Sequence, residues 1–162
     1  MHFIKNILNK NEAKALISSY NNSGKVFIKQ CNDSIIHDYI KKIKPYAKYP
    51  IKQDSKHSYF EVESRQQGHK NHYDTGSSQH MMWCGFSSSC LLSHPSLFKG
   101  GNVTFTDSGG KNQYDLTPKE HYLTGIAYRS VESEGKNKHL VEPHTGNRTV
   151  LLMFIELEEN GK

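Results

Sequence analysis

Two side chains that bind divalent metals stand two residues apart in the stretch "NHYDTG", Asn71 to Gly76. In an extended segment, residues i and i+2 project to the same side. His72 and Asp74 are therefore expected to converge on one small object while Tyr73 faces away. An imidazole nitrogen and a carboxylate oxygen suit a divalent cation, but two ligands hold one poorly, so further ligands must come from elsewhere in the chain. Ten histidines are available, at positions 2, 37, 57, 69, 72, 80, 94, 121, 139 and 144. Most histidines in a protein are surface or capping residues, and context has to separate them. His139 opens "HLVEPHTGNR", a short strand pattern followed by a Pro/Gly turn, and Arg148 then heads the apolar run "TVLLMFIEL". An arginine at the mouth of a buried strand is costly unless it meets an anion. A histidine, a turn and an inward arginine on adjoining strands would set a metal and an anion pocket side by side. His144 competes with His139 as third ligand, but it falls inside the turn beside Thr145-Gly146, where the chain is expected to point outward.

The elements that must position these residues change character along the chain. "HFIKNIL" reads as an opening strand, and "NKNEAKALISSY" as a helix with Asn9 or Asn11 as cap and Ala13, Leu16 and Ile17 on one side. "KVFIKQC" alternates like a strand. "SIIHDYIKKIKPY" carries Ile35, Ile36, Tyr39, Ile40 and Ile43 at helical spacing, with Pro45 and Pro50 expected to end the helix. From about Ser58 the texture becomes that of short β-branched and aromatic runs: "YFEVES", "HMMWCGFSSSCLL", "GNVTFTD", "YLTGIAYRS", "HLVEP" and "RTVLLMFIELE". Gly, Asn, Asp, Ser and Pro separate them. Successive strands of this kind predict a sandwich or barrel. "DSGGKNQYDLTPKE" reads as a surface loop able to serve as a lid.

Bulk properties narrow the class. A chain of 162 residues with 35% hydrophobic residues and mean hydropathy −0.74 suits one polar domain, 1–162. Its expected parts are a helical support region, 1–57, and a β core, 58–157. No apolar run approaches the roughly 20 residues of a membrane helix, and the start lacks the apolar core of a secretory signal. Three cysteines, Cys31, Cys84 and Cys90, show no zinc-like spacing. A reduced, cytoplasmic setting is the expectation. Residues 1–57 hold eleven lysines and no arginine against four acids, a net +7, while residues 58–162 carry a net −2. The basic end suits a solvated helix face first and an anionic partner second. The asparagine- and lysine-rich composition would suit a phage or a bacterium with a small AT-rich genome.

Three segments together resemble a known family. "HYD" at 72–74, "SSCLLSHPSLFKGGNVTF" at 88–105 and "HLVEPHTGNR" at 139–148 are similar to the Fe(II)- and 2-oxoglutarate-dependent oxygenases, in particular their prolyl-hydroxylase-like branch. The shared pattern is a His-x-Asp pair, a strand leading into Gly-Gly, and a distal histidine followed about nine residues later by a basic residue. The likeness spans roughly residues 58–157. It implies a mainly β fold with N-terminal helices: a double-stranded β-helix (jelly-roll, cupin-like) core supported by about two amphipathic helices. It further implies that His72, Asp74 and His139 bind Fe(II) and that Arg148 pairs with the far carboxylate of the cosubstrate 2-oxoglutarate. No side chain is needed as an acid or base, since the chemistry lies at the metal. His144, only four residues before Arg148, does not match the family spacing.

The resemblance implies a dioxygenase (an oxidoreductase) that consumes O2 and 2-oxoglutarate, leaves room for stimulation by ascorbate, and hydroxylates an unactivated C–H bond with release of succinate and CO2. A peptide or protein, with prolyl residues in view, is the expected substrate. Nucleic acid is the alternative, slightly favoured by the basic first third but opposed by the lack of a second arginine after Arg148. A non-catalytic jelly-roll binding module is a third reading, opposed by the complete set of four site residues. One departure stands out. Many relatives carry a cosubstrate-contacting tyrosine nine or ten residues before the His-x-Asp, where this chain reads "EVESRQQG" with Glu63, Ser64 and Arg65. The face shared by Ser87, Ser89 and Leu91 is a candidate wall of the cosubstrate pocket.

Overall fold

The structure, a computed structural model, describes residues 1–66, 69–72, 81–107, 112–130 and 138–158, with the backbone alone for 69–72, 107 and 138. Its first strand, β1 (His2–Ile4), leads into helix α1 (Lys10–Tyr20). Asn9 caps α1, accepting from the Glu12 amide while the Glu12 carboxylate accepts from the Asn9 amide. This reciprocal box satisfies two donors that the helix leaves open. β2 is only Val26–Phe27. The expected strand through Cys31 is cut short by a 3-10 turn at Ile28–Gln30, which carries the chain away from the sheet edge to Asp33, the cap of α2 (Ser34–Ile43). α2 buries Ile36, Tyr39 and Ile43, spaced three and four apart on one face. A further 3-10 turn, Lys44–Tyr46, carries Pro45.

The β core follows as β3 (Tyr59–Arg65), β4 (His69–His72), β5 (Cys84–Leu91), β6 (Phe98–Gly100), β7 (Val103–Asp107), β8 (Asn112–Leu116), helix α3 (Pro118–His121), β9 (Gly125–Arg129), β10 (Lys138–Val141), β11 (His144–Gly146) and β12 (Arg148–Glu156). A large sheet runs β1-β9-β5-β12-β3-β2, a smaller one β4-β10-β7-β8, and β11 pairs with β6. Every pairing between these strands is antiparallel. Two facing antiparallel sheets with helices outside one of them form the expected jelly-roll core. The first third is not purely a support, because β1 and β2 are the two edges of the large sheet.

The period of two in β12 sorts the interior. Leu151, Met153 and Ile155 join Phe60, Val62, Phe86 and Cys90 in one core, where the buried faces of α1 and α2 also pack. The Tyr39 hydroxyl and Ser88 Oγ, 2.8 Å apart and buried, tie α2 to β5. The alternate residues of β12, from Arg148 through Val150 and Leu152 to Phe154, lie on the opposite, inter-sheet face. There Val150 packs with Leu91 and Phe98, and Phe154 with Tyr59. Val103, Phe105 and Leu116 of the small sheet close against Ile126 and Tyr128 of the large one.

The stretch 107–120, expected as a loop, contains structure. β8 pairs with β7 along its whole length. Thr117 then caps α3 in a second capping box with Glu120, with proline in the first turn. Threonine, proline and a glutamate three residues on are a helix-start signal that the glycine, asparagine and lysine around them obscured. No helix among the described residues is long and apolar enough to cross a membrane.

Candidate metal and anion site

His139 and His72 are register partners where β10 pairs antiparallel with β4. Asp74 lies outside the described residues, and so does the side chain of His72. No group of three metal-ligating side chains occurs among the residues that are described. The His139 ring sits between the sheets, 5.2 Å from the Phe105 ring of β7 and 5.4 Å from the Tyr128 ring of β9. The ladder is irregular just beyond His139, as at a bulge, a device that re-aims side chains beside functional sites.

Arg148, the first residue of β12, is 6% exposed. Its Nη2 donates to Nδ1 of His121 at 3.4 Å, and its Nε, although buried, has no hydrogen-bond partner among the described residues. The ion pairs found among the described residues are Lys52–Glu156 and Arg65–Glu63, so Arg148 meets no carboxylate there. Glu63 is engaged by Arg65, which stands opposite Arg148 across the β12–β3 ladder. Burial, and after it the charge of Arg65, lowers the Arg148 pKa to about 10. The guanidinium thus stays cationic at neutral pH in a place where a lone cation is costly. A carboxylate brought in from solution would repay that cost through a two-pronged, charge-assisted contact. The residues present therefore fit a carboxylate ligand at this point.

Glycine makes the room. Gly100 and Gly101 adopt φ of +80° and +78°, open to glycine at little cost. A Cβ on Gly100 would collide with the Pro143 carbonyl oxygen, and one on Gly101 would press on Arg148 Cδ at 3.2 Å. The Gly-Gly pair is thus more than a turn, since it lets the 142–144 segment and the arginine stem pass close by.

His144 does not point outward as expected. It begins β11 and is 7% exposed, its ring packs edge-on against Phe98, and its Nδ1 donates to the Gly146 carbonyl at 3.2 Å. The β6–β11 pairing turns it inward. Sequence reasoning also passed over His121, 2% exposed at the end of α3, whose Nε2 lies 3.4 Å from Ser89 Oγ. Burial, then the Arg148 charge, depresses its pKa to about 3. Among the described residues Ser89 thus reaches Arg148 only through the His121 ring. Trp83 belongs to the cluster around Tyr59, and Phe86 is core.

No protein-family model and no curated protein matches the chain. Solved structures do. A prolyl-4-hydroxylase from Pseudomonas putida superposes with a TM-score of 0.68 at 13% identity, covering 97% of this chain and 84% of that one. The viral collagen prolyl hydroxylase of Paramecium bursaria Chlorella virus-1, in its 2-oxoglutarate complex, gives 0.65 at 13% identity with 98% and 96% covered. A Trichoplax adhaerens prolyl hydroxylase bound to a hypoxia-inducible-factor peptide fragment gives 0.66 at 14% identity with 99% and 84% covered. The chain has the prolyl-hydroxylase-like fold of the 2-oxoglutarate/Fe(II) oxygenases.

Proposed function

We propose that the protein is an Fe(II)- and 2-oxoglutarate-dependent dioxygenase that hydroxylates a peptide or protein, with prolyl residues the first substrate to test. The observation that carries this reading is Arg148, a buried cation that meets no carboxylate among the described residues, in a fold shared with enzymes of this class. His72, Asp74 and His139 are the residues that would hold iron. When bound there, iron supplies the activation of O2 that 2-oxoglutarate drives on its way to succinate and CO2, and with it hydroxylation of an unactivated C–H bond.

The chain's own part is to bind, orient and exclude water. Arg148 fixes the far end of the diacid, and Val150, Leu91 and Phe98 keep the neighbouring wall dry. At the level of His139, a transverse row crosses the large sheet from Tyr128 through Ser87 and Phe154 to Tyr59. Trp83 extends the row, 5.9 Å from Tyr59 and stacked on His57 at 5.4 Å, and Phe27 and Met82 remain exposed beside it. The buried row thus ends in half-buried Trp83 and exposed Phe27, flat rings that suit a peptide segment, pyrrolidine rings included. The nucleic-acid reading draws on exposed Lys41, Lys42, Lys44 and Lys48 around the end of α2, since bases also stack on aromatic rings.

Succinate release under Fe(II), 2-oxoglutarate and air, scanned over proline-containing peptides, free amino acids and methylated oligonucleotides, tests these readings. Peptide-stimulated turnover abolished by His139→Ala is expected. Stimulation by oligonucleotides alone, with binding that weakens steeply in salt, would move the assignment to nucleic acid. Absence of any turnover would leave a binding module.

A further inference from the structure

His121 links Arg148 to Ser89 through a short chain of contacts. Its imidazole bridges two strands: Nδ1 faces Arg148 Nη2 on β12 and Nε2 faces Ser89 Oγ on β5, each at 3.4 Å. A guanidinium can only donate, so Nδ1 must be the bare acceptor and the ring proton must sit on Nε2, directed at the serine. Burial and the adjacent cation keep the ring neutral at physiological pH. On its other flank the arginine stem lies against Gly101, where a Cβ would press on Arg148 Cδ at 3.2 Å and on the Phe98 ring at 3.3 Å. Among the described residues the long side chain is therefore held at its stem by packing and at its head by one acceptor, with buried Nε unpartnered there.

We propose that His121 is a positioning residue that fixes the reach of the Arg148 guanidinium and thereby sets which length of 2-oxo diacid the pocket accepts. The proposal rests on the cosubstrate role given to Arg148 above. An arginine carries several rotatable bonds and about 2 kcal/mol of rotamer entropy. An acceptor at one nitrogen removes much of that freedom before the ligand arrives, which favours a diacid whose far carboxylate falls at the fixed point. Without the acceptor the guanidinium samples several positions. The intended diacid loses affinity, while one longer by a methylene loses little.

Calorimetric titration of Mn(II)-loaded protein with 2-oxoglutarate and with 2-oxoadipate tests this without turnover. For His121→Ala, 2-oxoglutarate affinity should fall about tenfold, the size of one lost charge-assisted hydrogen bond, and its preference over 2-oxoadipate should narrow. His121→Asn, which restores an acceptor, should recover part of the preference. Ser89→Ala, which releases the imidazole, should shift the preference in the same direction by less, and it decides the matter if the alanine variant does not fold. Unchanged preference in these variants, or an equal loss for both diacids that asparagine does not recover, overturns the positioning role while leaving the cosubstrate reading intact. Wild-type protein that binds neither diacid overturns both.

Discussion

His139 lies directly across from His72 in the antiparallel ladder between β10 and β4. Two ligands of one metal ion would have to come from backbone positions as near as these. His72→Ala and His139→Ala should each reduce Mn(II) or anaerobic Fe(II) affinity by more than about a hundredfold, beyond the usual effect of groups that only support ligands. Equilibrium dialysis reads this directly. His144→Ala, lost from a different pair of strands, should leave metal binding in place.

Replacing Arg148 separates stability from function. Arg148→Met keeps the stem and removes a buried cation that meets no carboxylate among the described residues. In the absence of cosubstrate the variant should be as stable as wild type or more so, by about 1–3 kcal/mol in urea unfolding. It should also lose 2-oxoglutarate binding by roughly a hundredfold, the scale of a charge-assisted contact removed from a dry pocket. A marked loss of stability would mean that the arginine already has its anion within the fold.

His121 predicts a pH dependence with a definite sign. Its folded pKa, about 3, lies below the ordinary value of 6.5. Between those values the unfolded chain takes up a proton that the folded chain refuses, so this contribution to stability is complete above the ordinary histidine range and is lost as pH falls. The loss attributable to this one ring should reach about 2 kcal/mol near pH 5. Denaturant midpoints of wild type and His121→Asn between pH 7 and 5 should converge as the solution is acidified.

Much of the architecture was legible because the relevant periods are strong. The three- and four-residue spacing of Ile36, Tyr39 and Ile43 gave α2, and the alternating run after Arg148 gave β12. The cap of α1 was legible as one of two asparagines, Asn9 or Asn11, whereas that of α3 was missed where turn-rich neighbours masked Thr117. Short strands failed for another reason. β6, β11 and the end of β2 are fixed by pairing partners far along the chain, and no local pattern carries that information. The site divides the same way. Arg148 declared itself as a charge opening an apolar strand, whereas His121 became visible only when α3 and β9 folded it over Ser89. His144 was misjudged because a Thr-Gly turn reads as exposed, and only the β6–β11 pairing shows it turned inward.

β12 is hydrogen-bonded on both sides, to β5 and to β3, through most of its length. Strands held in this way exchange their amide protons only when the whole molecule opens. The guanidinium at its first residue is thereby coupled to global rather than local unfolding. A dicarboxylate captured there would slow deuterium uptake across the entire large sheet, and its concentration would set the melting temperature of the protein as a whole.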